Sequence, residues 1–186
     1  MRIEEIIKEV KDILSEKRFY HSECVMKRAE ELAEIYGADI EKAKICGILH
    51  DLAKEMKKTD LLEYALKNNI EVNEVEEKSP GLLHGKVAGH IAKNKYGIDD
   101  EMVEAISYHT TGKENMKLLT KIIYIADAVG EDRKYDNVPE LYNLSKVSLD
   151  EACLLLMEWT IKEKLEDKKM IHESTIKARN YILKNK

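Results

Sequence analysis

Apolar residues recur three and four positions apart along nearly the whole chain, and only two prolines, Pro80 and Pro139, and eight glycines interrupt them. That period matches the helical turn, so the pattern predicts an all-α protein. Its punctuation agrees. In "EIYGADIE" and "NKYGIDDE" a glycine, Gly37 or Gly97, stands where a helix would end, and Asp39 or Asp99 follows two residues later as a cap for the next. Ser148 with Glu151 forms a capping-box match ahead of the run Cys153 to Trp159. The spacing predicts helices over 2–16, 19–36, 40–55, 59–69, 81–96, 100–109, 116–129, 149–165 and 173–184. The polar stretch "KNNIEVNEVEEKSPG" reads as a surface loop or a short helix. No internal repeat or Ser/Gly linker divides the 186 residues, which predicts one compact helical bundle. A chain of this length buries roughly two-thirds of its unfolded surface, so it needs neither disulfide nor structural metal merely to fold.

Cys24, Cys46 and Cys153 are far apart and make no CxxC spacing, which reads as small core hydrophobes in a reducing compartment, the cytoplasm by default. The N-terminal "MRIEEIIKEVKDILSEK" mixes acids, bases and apolar residues at helical spacing and lacks the unbroken apolar run of a signal peptide. No segment approaches the length of a membrane span. The net charge of −5 argues against general nucleic-acid binding, which needs a surplus of Lys and Arg to neutralise phosphates. A phosphorylated ligand would require local help from a cation or from a few well-placed basic residues.

Several polar residues lie on apolar helix faces. The stripe Val25, Ala29, Leu32, Tyr36 extends backwards to His21, and Ala43 with Cys46 leads to His50, with Asp51 about 100° further round a helix. Val87 and Ile91 share a face with His84, Met102 and Ile106 lead to His109, and Leu119 with Ile123 leads to Asp127. Singly, each reads as a satisfied core or helix-end residue. Together they bring two carboxylates and four imidazoles inward, and buried charge of that kind must be paired or coordinated. With nitrogen and oxygen donors and no thiolate, the set suits Fe, Mn, Co, Ni, Zn or Mg rather than a Cys-rich structural zinc site. A divalent ion lowers the pKa of bound water and polarises phosphoryl oxygens, so hydrolysis of a phosphoester or phosphoanhydride follows. His90, six residues past His84, reads as solvent-facing. Gly85 and Gly89 read as a close helix contact, and Leu155, Met157 and Trp159 as core or an oligomer contact.

The ordered His21, His50-Asp51 and Asp127 resemble the H…HD…D signature of the HD-domain metal-dependent phosphohydrolases. The segments "RFYHS", "GILHDLAK", "LLHGKVAG", "YHTTG", "KIIYIADAV" and "IHESTIKARNYIL" resemble the YqeK-type symmetrical bis(5'-nucleosyl)-tetraphosphate hydrolases, which split diadenosine tetraphosphate into two ADP. The resemblance implies a single HD domain over residues 1–186. It implies that His21, His50, Asp51 and Asp127 hold a metal, iron foremost, with Mn, Co, Ni or Zn as alternatives and one or two ions. Asp51, His84 and His109 would be catalytic: Asp51 holds or deprotonates the attacking water, while His84 and His109 either bind a second metal or touch the phosphates. Arg18, Lys54 and Arg133 would bind substrate, Lys54 as the lysine of an HD-x-x-K motif that contacts a phosphate or orients Asp51. His172, Thr175 and Asn180 are candidate contacts to nucleoside or phosphate, with helix capping by Ser174 or Thr175 as the competing role. The family pattern Glu-Pro-x-Arg after the last aspartate is here Gly130-Glu131-Asp132-Arg133, which keeps the arginine and loses the Glu-Pro.

The expected partner is a nucleotide or dinucleoside polyphosphate, without nucleic acid or membrane, and the expected assembly is a homodimer. Three other readings compete. Within enzymes, the chain could be a phosphohydrolase of another HD subgroup, such as a nucleoside monophosphatase; a guanosine-tetraphosphate hydrolase suits the short length less well. Outside enzymes, it could be a non-catalytic nucleotide-binding module or a helical interaction module.

Overall fold

A computed structural model describes residues 2–186. It contains helices α1 (Ile3–Ile13), α2 (Glu16–Tyr36), α3 (Ile40–Leu49), α4 (Lys58–Lys67), α5 (Glu74–Lys78), α6 (His84–Tyr96), α7 (Asp100–Ser107), α8 (Leu118–Ala128), α9 (Val138–Ser145), α10 (Leu149–Glu166) and α11 (Glu173–Lys184), with a 3-10 turn at Pro80–Leu83. Among the described residues there is no strand, so the all-α expectation holds. The buried core runs without a break from Ile6 and Val10 of α1 to Ala178 and Ile182 of α11. No helix of the described residues is long and apolar enough to cross a membrane.

The punctuation behaves as its chemistry requires. Gly37 and Gly97 both take φ of 67°, a left-handed conformation that glycine adopts without a Cβ penalty, and close α2 and α6. Asp39 and Asp99 then accept from the backbone N–H groups of Lys42 and Met102. Ser148 caps α10 by accepting from the Glu151 N–H, but the reciprocal half of the capping box is not used, because Glu151 pairs with Lys186 instead.

Two helix packings position the site. Gly47 lets α3 lie directly on α2: a Cβ there would stand 2.6 Å from the Met26 Cα. Gly85 and Gly89 do the same for α6 on α7, where a Cβ would meet the Ser107 carbonyl oxygen at 2.8 Å and the Ser107 Oγ at 2.6 Å. The reading of these glycines as a close helix contact is therefore right.

Three sequence expectations need correction. Helix α3 stops at Leu49 rather than 55, and residues 50–56 continue in tight turns with bonds from Leu52 to Leu49, Lys54 to Asp51 and Met56 to Ala53. The His50 ring donates to the Gly47 carbonyl at 2.7 Å, an acceptor that a continuing helix would give to the Asp51 N–H. Helix α9 was not expected. It begins beside Pro139, which sits in the first turn where its missing N–H costs nothing. His90 is half-buried rather than solvent-facing, because Tyr64 crosses its ring and the phenol lies 3.0 Å from Nδ1.

Candidate metal centre

Five elements deliver the six inward residues. His21 projects from within α2, His50 ends α3 and Asp51 starts the turn after it. His84 opens α6, His109 lies two residues past the end of α7, beyond its C-cap Tyr108, and Asp127 lies in the last turn of α8. His21, His50, Asp51, His84 and His109 are all at most 4 % exposed, so their polar atoms must find partners within the protein.

Every histidine has its outer nitrogen engaged. Nδ1 donates to the Gly47 carbonyl from His50, to the Gly81 carbonyl from His84 and to the Ile106 carbonyl from His109, each at 2.7 Å. Nδ1 of His21 donates to Asp132 Oδ2 at 2.8 Å. Since oxygen is the acceptor each time, each ring carries a hydrogen on Nδ1 and leaves Nε2, the inward nitrogen, free to bind a cation or, without one, to donate to the carboxylates. These atoms converge on two carboxylates. His21 Nε2 lies 3.0 Å and His50 Nε2 3.8 Å from Asp127 Oδ1. His50 Nε2 is 3.4 Å from Asp51 Oδ2, and His84 and His109 Nε2 are 3.2 and 3.7 Å from Asp51 Oδ1.

The arrangement fits a cation on its own evidence. His50 Nε2 and Asp51 Oδ1 are buried without a hydrogen-bond partner among the described residues, and the Nε2 atoms of His84 and His109 face each other at 3.0 Å. Lone pairs gathered in this way repel unless a positive charge stands among them. Two overlapping triads, His21-His50-Asp127 and His50-Asp51-His109, each bring one donor atom per residue within 4.8 Å of the others, with His50 shared. The electrostatics run the same way. Burial works against the charge of Asp51, yet His50, His109 and His84 hold its carboxyl far below the usual range. Asp127 is likewise held down against burial, by His21, His50 and Arg133. Burial brings His84 down to about 4, against the pull of Asp51, so its ring is neutral near pH 7.

Of the basic candidates, three border this cluster. Arg18 Nη1 donates to Asp51 Oδ2 at 2.7 Å, and Lys54 Nζ lies 3.1 Å from His84 Nε2 and 3.8 Å from Asp51 Oδ1. Arg133 donates from Nε to the Asp127 carbonyl at 2.7 Å and from Nη2 to Asp127 Oδ1, with His21 Nε2 at 3.3 Å. The cluster opens into a cavity of about 410 Å³. His109, Asp127 and Arg133 stand at its inner end, and Tyr135, Val138, Leu141, Leu156 and Trp159 line the apolar part beyond. Trp159 packs against the core, as expected, and also forms a wall of this cavity.

The C-terminal candidates divide. His172 and Thr175 reach the cavity wall but are tied into the fold: His172 Nδ1 caps α11 by accepting from the Ser174 N–H, and its Nε2 faces Asn73 Nδ2 at 2.8 Å. Thr175 donates to the Thr111 carbonyl at 2.8 Å. The cap is His172 itself, not Ser174 or Thr175. Asn180 lies apart, exposed on the outer face of α11 in a shallow groove with Ile161, Leu165 and Ile176. Asn180 is five residues past the cavity-lining Thr175, about 140° further round α11, which turns its side chain away from the cavity.

Sequence reasoning missed Asp132, Thr110 and the α9–α10 wall. Thr110 Oγ1 lies 3.3 Å from His84 Nε2, and its place directly after His109 in "YHTTG" was the available signal. Asp132 carried none, because its partner is 111 residues away.

Comparison with known proteins agrees with this geometry. The HD domain family is matched over residues 18–132. A Bacillus subtilis protein named symmetrical bis(5'-nucleosyl)-tetraphosphatase is 32% identical over 184 residues, covering 98% of each chain. A Staphylococcus aureus protein of the same name is 33% identical over 186 residues, covering 97% of this chain and 94% of that one. A crystal structure from Clostridium acetobutylicum, described as a predicted HD superfamily hydrolase involved in NAD metabolism, superposes with a TM-score of 0.96 at 37% identity over 100% of this chain and 99% of that one. With its histidines, the His50-Asp51 pair and Asp127 gathered at one centre, the chain belongs to the HD-domain hydrolase family, among relatives named symmetrical bis(5'-nucleosyl)-tetraphosphatase.

Proposed function

We propose that this protein hydrolyses diadenosine tetraphosphate symmetrically into two ADP, using a divalent transition metal held by His21, His50, Asp51 and Asp127. The observation that carries the reading is the convergence of four Nε2 atoms and two carboxylates, with His50 Nε2 and Asp51 Oδ1 lacking partners, at the inner end of a cavity large enough for a nucleoside. The names of the relatives supply the substrate. Iron is our first assignment, as the family resemblance implies, and the all-nitrogen and oxygen donor set suits a transition ion.

When bound, such a cation supplies a Lewis acid for a phosphoryl oxygen and a water acidic enough to react near neutrality. The remaining work belongs to the chain. Asp51 Oδ1 is the free acceptor for a proton of the attacking water, and Arg18 and Lys54 set positive charge on the same side. Arg133 can present its planar fork to a phosphate at the inner end of the cavity, and Thr110 adds a hydroxyl near His84. The apolar wall of Tyr135, Val138, Leu141 and Trp159 receives one nucleoside and excludes water from it. With one nucleoside held there and the basic residues at the centre, the register favours attack at the second phosphate from the held end.

A cytoplasmic homodimer belongs to the same reading. The three free, buried cysteines suit a reducing compartment, and the outer groove on α10 and α11 offers an apolar surface for a second copy. Incubation with mononucleotides and with dinucleoside tri-, tetra- and pentaphosphates, with iron or manganese, tests the activity. The expected products are ADP alone from the tetraphosphate, ADP with AMP from the triphosphate, and ADP with ATP from the pentaphosphate. ATP plus AMP from the tetraphosphate would sink symmetric cleavage, and turnover of mononucleotides alone would favour another HD phosphohydrolase activity.

A further inference from the structure

We propose that Asp132 is a positioning residue of the metal centre: its carboxylate locks the His21 ring with Nε2 toward the ligand cluster, and Gly130 is bare to leave that carboxylate its place. The proposal rests on reading His21 as a metal ligand.

His50, His84 and His109 stand at helix ends, and each anchors its own ring on a carbonyl three residues back. His21 has no such option, because it lies inside α2, where the preceding carbonyls belong to the helical ladder. Its anchor must come from elsewhere in the fold, and Asp132 Oδ2 supplies it at 2.8 Å. A carboxylate can only accept, so the hydrogen sits on Nδ1. In the neutral ring Nε2 then offers its lone pair where Asp127 Oδ1 lies at 3.0 Å and Asp51 Oδ2 at 3.8 Å. A carboxylate behind a ligand histidine fixes both tautomer and ring direction and raises the basicity of the inward nitrogen.

The second oxygen of Asp132 shows that the carboxylate is not placed for its own stability, since Oδ1 is buried with no hydrogen-bond partner among the described residues. Gly130 makes room for it. A Cβ at residue 130 would stand 2.8 Å from Asp132 Oδ1 and 3.6 Å from the Cys24 Cβ. Gly130 is not among the glycines with positive φ, so space rather than backbone conformation calls for glycine. Relative to the Glu-Pro-x-Arg pattern, the acid has moved from position 130 to position 132, and the bare backbone at 130 is what lets it fold back against α2.

The test compares full-length wild type with Asp132→Ala, Asp132→Asn, Gly130→Ala and the Gly130→Ala/Asp132→Ala pair. One readout is the imidazole nitrogen NMR spectrum of the Zn²⁺-loaded chain, where a diamagnetic cation takes the inward nitrogen; the other is Mn²⁺ affinity by chelator competition. Wild type should show His21 as the Nδ1–H tautomer, and Asp132→Ala should show a mixture with Mn²⁺ affinity lower by roughly 10- to 100-fold. Asp132→Asn, which can still accept from Nδ1, should lose less. Gly130→Ala should weaken binding although residue 130 touches no ligand atom, and the pair should be no worse than Asp132→Ala alone, because both act through one carboxylate. An unchanged tautomer and unchanged affinity in Asp132→Ala would overturn the proposal while His21→Ala still abolished Mn²⁺ binding. A wild type that binds no Mn²⁺ would instead overturn the ligand reading beneath it.

Discussion

Arg18 and Asp51 divide one carboxylate between two tasks: Arg18 Nη1 holds Oδ2 at 2.7 Å, and Oδ1 is left without a partner, 3.2 Å from His84 Nε2. Arg18→Ala should therefore lower turnover by roughly 10- to 1000-fold, and Arg18→Lys should recover part of it, since an ammonium keeps the charge but not the planar fork. Asp51→Ala should abolish turnover and metal content together. Adding metal should raise the thermal midpoint of wild type by linkage and that of Asp51→Ala much less. Equal metal-induced shifts in the two proteins would refute the role given to Asp51.

Arg133 Nη2 engages Asp127 Oδ1 and lies 3.3 Å from His21 Nε2, two atoms a cation would also use. Arg133→Ala should bind metal at least as tightly as wild type yet turn over roughly 10- to 1000-fold more slowly, through loss of a charge-assisted phosphate contact. Lys54→Ala should keep its metal and lose rate in the same range. Elemental analysis beside kinetics decides, and loss of metal in Arg133→Ala would count against a phosphate role.

His84 and His109, with Nε2 atoms 3.0 Å apart, are either ligands of a second ion or phosphate contacts. If their alanine variants lose one of two metal equivalents they are ligands, whereas full metal with reduced rate marks them as substrate contacts. Unchanged metal and rate in both would return them to the role of core histidines.

Stability of the metal-free chain should depend on pH through His84. Burial brings this ring down to about 4 from 6.5, so as pH falls the unfolded chain takes up the proton first. Full stability should hold above about pH 6.5 and be lost progressively towards pH 4, by at most about 3 kcal/mol for this one group. Urea midpoints measured in chelator across that range should fall more steeply for wild type than for His84→Gln. Parallel slopes would show that His84 is not the group responsible.

Trp159 supplies a broad apolar face to the cavity. Trp159→Ala should raise KM for diadenosine tetraphosphate by roughly tenfold, corresponding to the loss of about 1.4 kcal/mol of base stacking, and should leave metal content unchanged. A KM that does not move would place the nucleoside elsewhere.

The helices and their stops were legible because they depend on near neighbours. A 3.6-residue apolar period is written locally, and Gly37, Gly97, Asp39 and Asp99 act within one turn of where they stand. The inward set His21, His50, Asp51, His84, His109 and Asp127 was legible for the same reason, as polar residues on apolar stripes. One local competition was misread and one helix was missed: the His50 ring takes the Gly47 carbonyl and ends α3, and α9 opens with Pro139 in its first turn where no helix was expected. What no local pattern contains is direction across the fold. The support of His21 by Asp132, the placing of Trp159 on the cavity and the turning of Asn180 away from it depend on how α2, α8, α10 and α11 lie against one another. The sequence therefore determined the helices and the donor atoms, while tertiary packing decided which atoms face one another, because a hydrogen bond or a cavity wall joins residues by distance in space and not by separation along the chain.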